Sequence, residues 1–133
     1  MQDGIAAAPS QLISDPRRVL TAPAVLDRLS HDFYWYSPIL RPQLANKTAD
    51  IAVQPVSANE VLTVMRFAAR NEMPVTVRGA GTGNYGQCVA LHGGMVLDLS
   101  RMDKLESITP DGVAVCQPGL RLGALETEAR GRG

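Results

Sequence analysis

Charge of one sign is what this sequence most plainly lacks: 13 Lys and Arg stand against 13 Asp and Glu among 133 residues. With no excess to draw a polyanion or an acidic bilayer, bulk electrostatics gives no basis for binding nucleic acid or a membrane surface. Cysteine and histidine are scarce as well, with two of each. Cys88 and Cys116 have no C-x-x-C spacing, and His31 lies far along the chain from His92, so no metal site is expected. The cysteines read as small packing residues in a reducing compartment. Long apolar runs are missing: nothing approaches the ~20 residues of a membrane span. The opening stretch MQDGIAAAPSQLISDPRR begins with an acid and has no apolar core of signal-peptide length. A soluble, cytoplasmic chain of one domain at most is the expectation.

Periodicity organises what is present. Residues 1–22, rich in Ala, Pro, Ser and Asp, carry no sustained period and read as a loose arm. Residues 23–50 read as a short helix and an extended lead-in, with Val25, Leu26, Leu29 and Phe33 on one helical face and Pro38 and Pro42 stopping its continuation. The cluster Phe33, Tyr34, Trp35 and Tyr36 has no basic neighbours, which makes it a packing anchor rather than a platform for bases. From residue 51 the pattern sharpens. IAVQP reads as a strand, and Ser57 with Glu60 has the spacing of a capping box. The helix that follows places Val61, Leu62, Met65 and Ala68 or Ala69 at three- and four-residue intervals, and PVTV is the next strand. Strand, helix and strand make a βαβ unit with parallel strands. Further strands are expected at 95–99, 105–109 and 112–119, the last two forming a hairpin through Pro110, Asp111 and Gly112, before a helix opens at Leu120.

The stretch PVTVRGAGTGNYGQ sets four glycines into residues 79–86, directly after a strand. Gly81, Gly83 and Gly86 spell the GxGxxG of a dinucleotide-binding Rossmann unit, which needs a helix rising from the loop. Only QCVALHGG separates Gly86 from Met95, too little for a crossover helix, and no acid stands about twenty residues on at a strand head. Gly81 and Gly86 also have P-loop spacing, but Gln87 and Cys88 stand where a Lys and a metal-binding hydroxyl belong. What remains is a loop whose bare main chain converges its N–H groups into an anion nest suited to a diphosphate. Each charge-assisted hydrogen bond of this kind contributes about 1.5–3 kcal/mol. A plain tight turn is the alternative, against which the extra donors Thr82, Asn84 and Gln87 count.

PVTVRGAGTGNYGQ followed by LHGGMVLDLSRMDKL resembles the FAD-binding, p-cresol methylhydroxylase-type domain of the vanillyl-alcohol oxidase superfamily, in its glycolate oxidase and D-lactate dehydrogenase branch. The likeness runs from about Ala52 to the C-terminus. It implies an α+β domain of two subdomains with FAD between them, of which residues 51–133 would supply the first part. It further implies a loop in which Gly79, Ala80, Gly81, Thr82 and Gly83 offer backbone donors to the diphosphate, Gly86 is a further cofactor-binding residue, and Thr82, Asn84 and Gln87 add side-chain donors. Arg78 would balance the diphosphate charge or clamp a neighbouring carboxylate. Asp98 is either that carboxylate or, by preference, the solvent-facing position of its strand. Some members of the superfamily attach FAD covalently to a histidine in an RxGGH pattern, and Thr82 stands at that place here, so the resemblance implies noncovalent FAD. His92 reads as a turn residue. Members run well beyond 133 residues to a substrate domain, so the expectation is an N-terminal fragment without a catalytic base or substrate pocket. In the complete protein, hydride would pass from a 2-hydroxy acid or alcohol to FAD. The competing readings are a noncatalytic piece needing a partner chain or its missing half, and an NAD-binding Rossmann domain.

Overall fold

In the computed structural model, the description covers residues 12–33 and 38–132. The order is β1 (Val19–Leu20), α1 (Pro23–Leu29), α2 (Leu40–Leu44), β2 (Ile51–Val53), α3 (Ala58–Arg70), β3 (Val75–Arg78), β4 (Met95–Asp98), β5 (Leu105–Ile108), β6 (Ala114–Cys116) and α4 (Leu122–Arg130). Four strands form one sheet in the order β1-β2-β4-β3, with β1 antiparallel and the other neighbours parallel. β5 and β6 pair by themselves as an antiparallel hairpin. No described helix is long and apolar enough to cross a membrane.

The central strands are unbroken apolar runs because both faces of the sheet are covered. On one face Ile51, Val53, Met95 and Leu97 pack with Val64 of α3 and with Leu12 and Ile13. On the other, Ala52 and Val96 pack with Leu26 and Leu29 of α1 and with Ala49 and Ala90. Alternation along each strand thus assigns neighbouring residues to two separate cores. The expected βαβ unit is present, with β4 inserted between its two strands.

Several expectations need correction. Residues 12–22 are not a loose arm: Leu12 and Ile13 are buried, Val19 and Leu20 pair with Val53 and Ala52, and Arg18 is 6% exposed. Residues 1–11 lie outside the described residues, as do Tyr34, Trp35 and Tyr36. α1 stops at Leu29, so Phe33 leaves the helical face and is 71% exposed. Pro42 sits within the first turn of α2, where no intrahelical N–H is required, and does not exclude a helix there. The buried stripe of α3 runs through Val61, Val64, Phe67 and Ala68, leaving Leu62 and Met65 exposed. Cys116 is exposed rather than packed.

The start of α3 shows how the N-terminal segment is tied down. Ser57 Oγ accepts the Glu60 amide at 3.3 Å, the forward half of the expected capping box. The Glu60 carboxylate instead accepts the Val56 amide at 2.9 Å and holds Arg18 bidentately at 2.6 and 2.7 Å. Arg18 Nη2 also donates to Ser14 Oγ, and Nη1 to the Gln54 carbonyl. The Arg18 hydrogen bonds, with smaller help from the Val56 amide, outweigh the cost of burial and hold the Glu60 carboxyl at about 2 against an ordinary 4.5. A depressed carboxyl stabilises the fold above its unfolded value, and that stability is lost as pH falls from about 4.5 toward 2. Urea midpoints measured across this window should fall with acid in the wild type, and Glu60→Gln should lower the neutral-pH midpoint and flatten the slope.

Candidate functional site

Register aligns Val53, Leu97 and Val77 across β2, β4 and β3, so the next residues, Gln54, Asp98 and Arg78, stand in a row at the carboxyl ends of three parallel strands. In an open parallel sheet this edge is where ligands bind. A cleft of about 750 Å³ opens there, lined by Gln54, Arg78, Gly79, Ala80, Asp98 and Arg121 among others.

Asp98 is 2% exposed, so the solvent-facing reading is wrong. Nor is it the partner of Arg78. Its carboxylate accepts Gln54 Nε2 at 2.7 Å and the Ser100 amide at 3.0 Å, starting the 3₁₀ turn after β4.

Arg78 is 8% exposed and its guanidinium lies among main-chain carbonyls. Nη1 donates to Leu29 O at 2.6 Å and His31 O at 3.2 Å, and Nη2 to Ala80 O at 3.4 Å. It therefore caps the carbonyl end of α1, where orphan acceptors and the helix dipole favour a cation. Its Nε has no hydrogen-bond partner among the described residues. Gly81, at φ +67°, leaves no room for a Cβ because the guanidinium fills that space.

No helix interrupts residues 79–94, so β3 and β4 are joined by the glycine loop alone. The segment just after α1 fastens this loop. Phe33 N donates to Gly81 O at 2.7 Å, and Ala90 N to Ser30 O at 3.3 Å. Between those points the Asp32 carboxylate accepts Gly86 N at 2.7 Å, Gln87 N at 3.2 Å and Cys88 N at 2.9 Å. Gln87 folds back, its Oε1 accepting Tyr85 N at 3.0 Å. The expected donors thus fall into two groups. The amides of Gly86 and Gln87 are spent on Asp32, whereas those of Gly81, Thr82, Gly83 and Asn84 donate to no acceptor among the described residues. Burial, together with the Asp32 charge, pushes the Cys88 thiol up and keeps it protonated at neutral pH.

The second wall comes from the segment between the hairpin and α4. Gly119 N donates to Met102 O at 2.8 Å, and Gly119 lies so close to the Leu99 carbonyl that no Cβ fits. Arg121 follows as the residue before α4, on the cleft and with no acceptor for its side chain among the described residues.

The sequence reading missed Asp32, Gln54 and Arg121 as site residues and set Asp98 aside as solvent-facing. For Gln54 and Asp98 a signal existed: each is the first polar residue after an apolar strand core. Asp32 sits in SHD, which follows no period, and it gave none.

Replacing Gly81 by Ala should cost about 2 kcal/mol or more, since it strains a positive φ and displaces a buried guanidinium. Gly123→Ala in α4, where a new methyl meets nothing within 4 Å, should stabilise by up to ~1 kcal/mol. Denaturant titration of both variants checks the opposite signs.

Comparison with known proteins identifies the family. The family described as FAD binding domain matches residues 49–133. An uncharacterized FAD-linked oxidoreductase of Mycobacterium tuberculosis is 35% identical over 109 residues, 81% of this chain and 22% of that protein. D-lactate dehydrogenase of Archaeoglobus fulgidus is 34% identical over 92 residues, 69% of this chain and 20% of that protein. The chain thus spans about a fifth of the length of these curated relatives. A crystal structure of p-cresol methylhydroxylase shares the fold, with a TM-score of 0.79 and 19% identity over 99% of this chain and 25% of that one. A helix-free glycine loop at the carboxyl edge of a parallel sheet lies within the matched residues 49–133, and that match shows that the chain belongs to the FAD binding domain family.

Proposed function

We propose that this protein holds FAD without a covalent bond, the diphosphate lying against the main chain of Gly79–Asn84, and that it serves a cytoplasmic oxidoreductase acting on a 2-hydroxy acid or related alcohol. The observation that carries this reading is the run of amides at Gly81, Thr82, Gly83 and Asn84 that donate to no described acceptor, following in the chain on Gly79 and Ala80 in the wall of a cleft of about 750 Å³. A bare main chain with converging N–H groups suits an anion that must approach within hydrogen-bond distance.

The other residues fit the same ligand. Arg78 keeps a fixed positive charge behind Gly81, and Arg28 and Arg121 line the cleft with guanidinium groups that pair with no described carboxylate. The Thr82 and Asn84 side chains make no described hydrogen bond and remain available as donors. Gln87 is committed to Tyr85, and Gly86 to Asp32, so these two act by shaping the loop. FAD, when bound, supplies the hydride-accepting chemistry, while this chain binds it, orients it and keeps its phosphates from water.

The noncovalent reading follows from Thr82, whose hydroxyl stands at the histidine place of the RxGGH pattern found in some members of the superfamily that the sequence resembles. His92 belongs to an exposed turn between β3 and β4. The relative named D-lactate dehydrogenase supports a 2-hydroxy acid as the substrate class. Both cysteines are free, in keeping with a reducing compartment.

The test starts with purified protein. Acid precipitation should leave the flavin in the supernatant, and colour in the pellet would overturn noncovalent binding. Titration should show affinity for FAD and none for NAD. Anaerobic addition of 2-hydroxy acids to a flavin-loaded protein in which this chain is joined to a substrate domain should bleach the oxidised flavin, and a flavin indifferent to the whole set would remove that substrate class.

A further inference from the structure

We infer that Asp32 is a positioning residue for the FAD diphosphate: an internal anion that fills one half of the glycine loop's amide run and thereby leaves the other half, Gly81–Asn84, as the cofactor's cradle. The inference rests on the diphosphate reading above.

Asp32 is 6% exposed and takes part in no ion pair with a Lys, Arg or His of the described residues. A carboxylate so placed carries a large desolvation cost unless hydrogen bonds replace its water. Three consecutive amides, Gly86, Gln87 and Cys88, do so at 2.7–3.2 Å. Consecutive main-chain N–H groups converging on one anion are a phosphate-type nest, and here the chain supplies the occupant. The carboxylate also reaches the turn between the two halves. A Cβ at Gly83 would stand 3.1 Å from Asp32 Oδ2 and 2.6 Å from Gln87 Oε1, so the main chain passes close over both acceptors.

The consequence is selection among amides. With Gly86–Cys88 satisfied internally, a diphosphate has one place to lie. Without the carboxylate the loop presents a longer run of unsatisfied N–H groups that order themselves on the ligand, at an entropic cost charged to binding. Asparagine does not substitute, because its amide group turns a donor toward N–H groups that need an acceptor.

Flavin fluorescence titration of apoprotein measures the effect. Asp32→Asn and Asp32→Ala should each weaken FAD binding by about tenfold or more, the equivalent of losing one charge-assisted hydrogen bond. Amide exchange should quicken across residues 85–89 of the variant apoproteins while β2, β3 and β4 stay protected. Formate or acetate, but not chloride at equal ionic strength, should restore part of the affinity of Asp32→Ala by refilling the vacated nest, a rescue that a general loss of stability would not show. Wild-type affinity in both variants overturns the inference alone. Unfolding of the sheet in Asp32→Asn also overturns it, because the carboxylate's work is confined to the loop. A wild-type protein that ignores FAD overturns the flavin reading and this one with it.

Discussion

Two parallel strands joined without a helix pose a problem of main-chain hydrogen bonding. A crossover helix satisfies its own N–H and C=O groups, whereas the connection at residues 79–94 has no such internal ladder. Here the partners come from the short segment after α1. Leu29 O and His31 O receive Arg78, Phe33 N reaches Gly81 O, Ser30 O receives Ala90 N, and Asp32 takes three amides between. The loop is thus cast against a template of five residues, and everything proposed for the cofactor depends on that fit.

The template explains why glycines are needed where they stand. Gly81 lies on the buried guanidinium that caps α1, and a side chain there would push the arginine off its carbonyls. Gly86 takes φ +87° so that its amide and the next two can turn onto one carboxylate. Glycine content alone fits several phosphate motifs; the distribution of hydrogen bonds separates them. A Rossmann or P-loop glycine run feeds its amides into a helix N-terminus. This one gives some of them to an internal anion and leaves those of Gly81–Asn84 without a described acceptor.

The sheet was legible because IAV and MVLD are apolar runs of strand length, and α3 because Ser57 and Glu60 mark its start. The absence of a crossover helix followed from chain length. The finer face of α3 was misplaced by one position, since Leu62 and Met65 are as apolar as Val61 and Val64 and only the sheet decides which stripe it covers. Leu12 and Ile13 were invisible for a related reason: two apolar residues have no period, and they join the core through tertiary contact alone. The row Gln54, Asp98 and Arg78 needed the register of three strands, two of them separated in sequence by the whole of α3. Asp32 needed most, because its partners lie more than fifty residues away.

Buried charges of opposite sign, Arg78 at the end of β3 and Asp32 after α1, flank the glycine loop, and no hydrogen bond between them is present. Had they paired, each would have satisfied the other and freed the main chain around them. Instead the cation is solvated by carbonyls at the end of α1 and the anion by amides at the end of the glycine loop, groups held in place by the backbone. Fixed dipoles do not reorganise when a ligand arrives, so the field over Gly81–Asn84 is set in advance. The cost of ordering is met during folding rather than during binding, which is the condition for a short, nearly side-chain-free loop to offer an anion a site that is already formed.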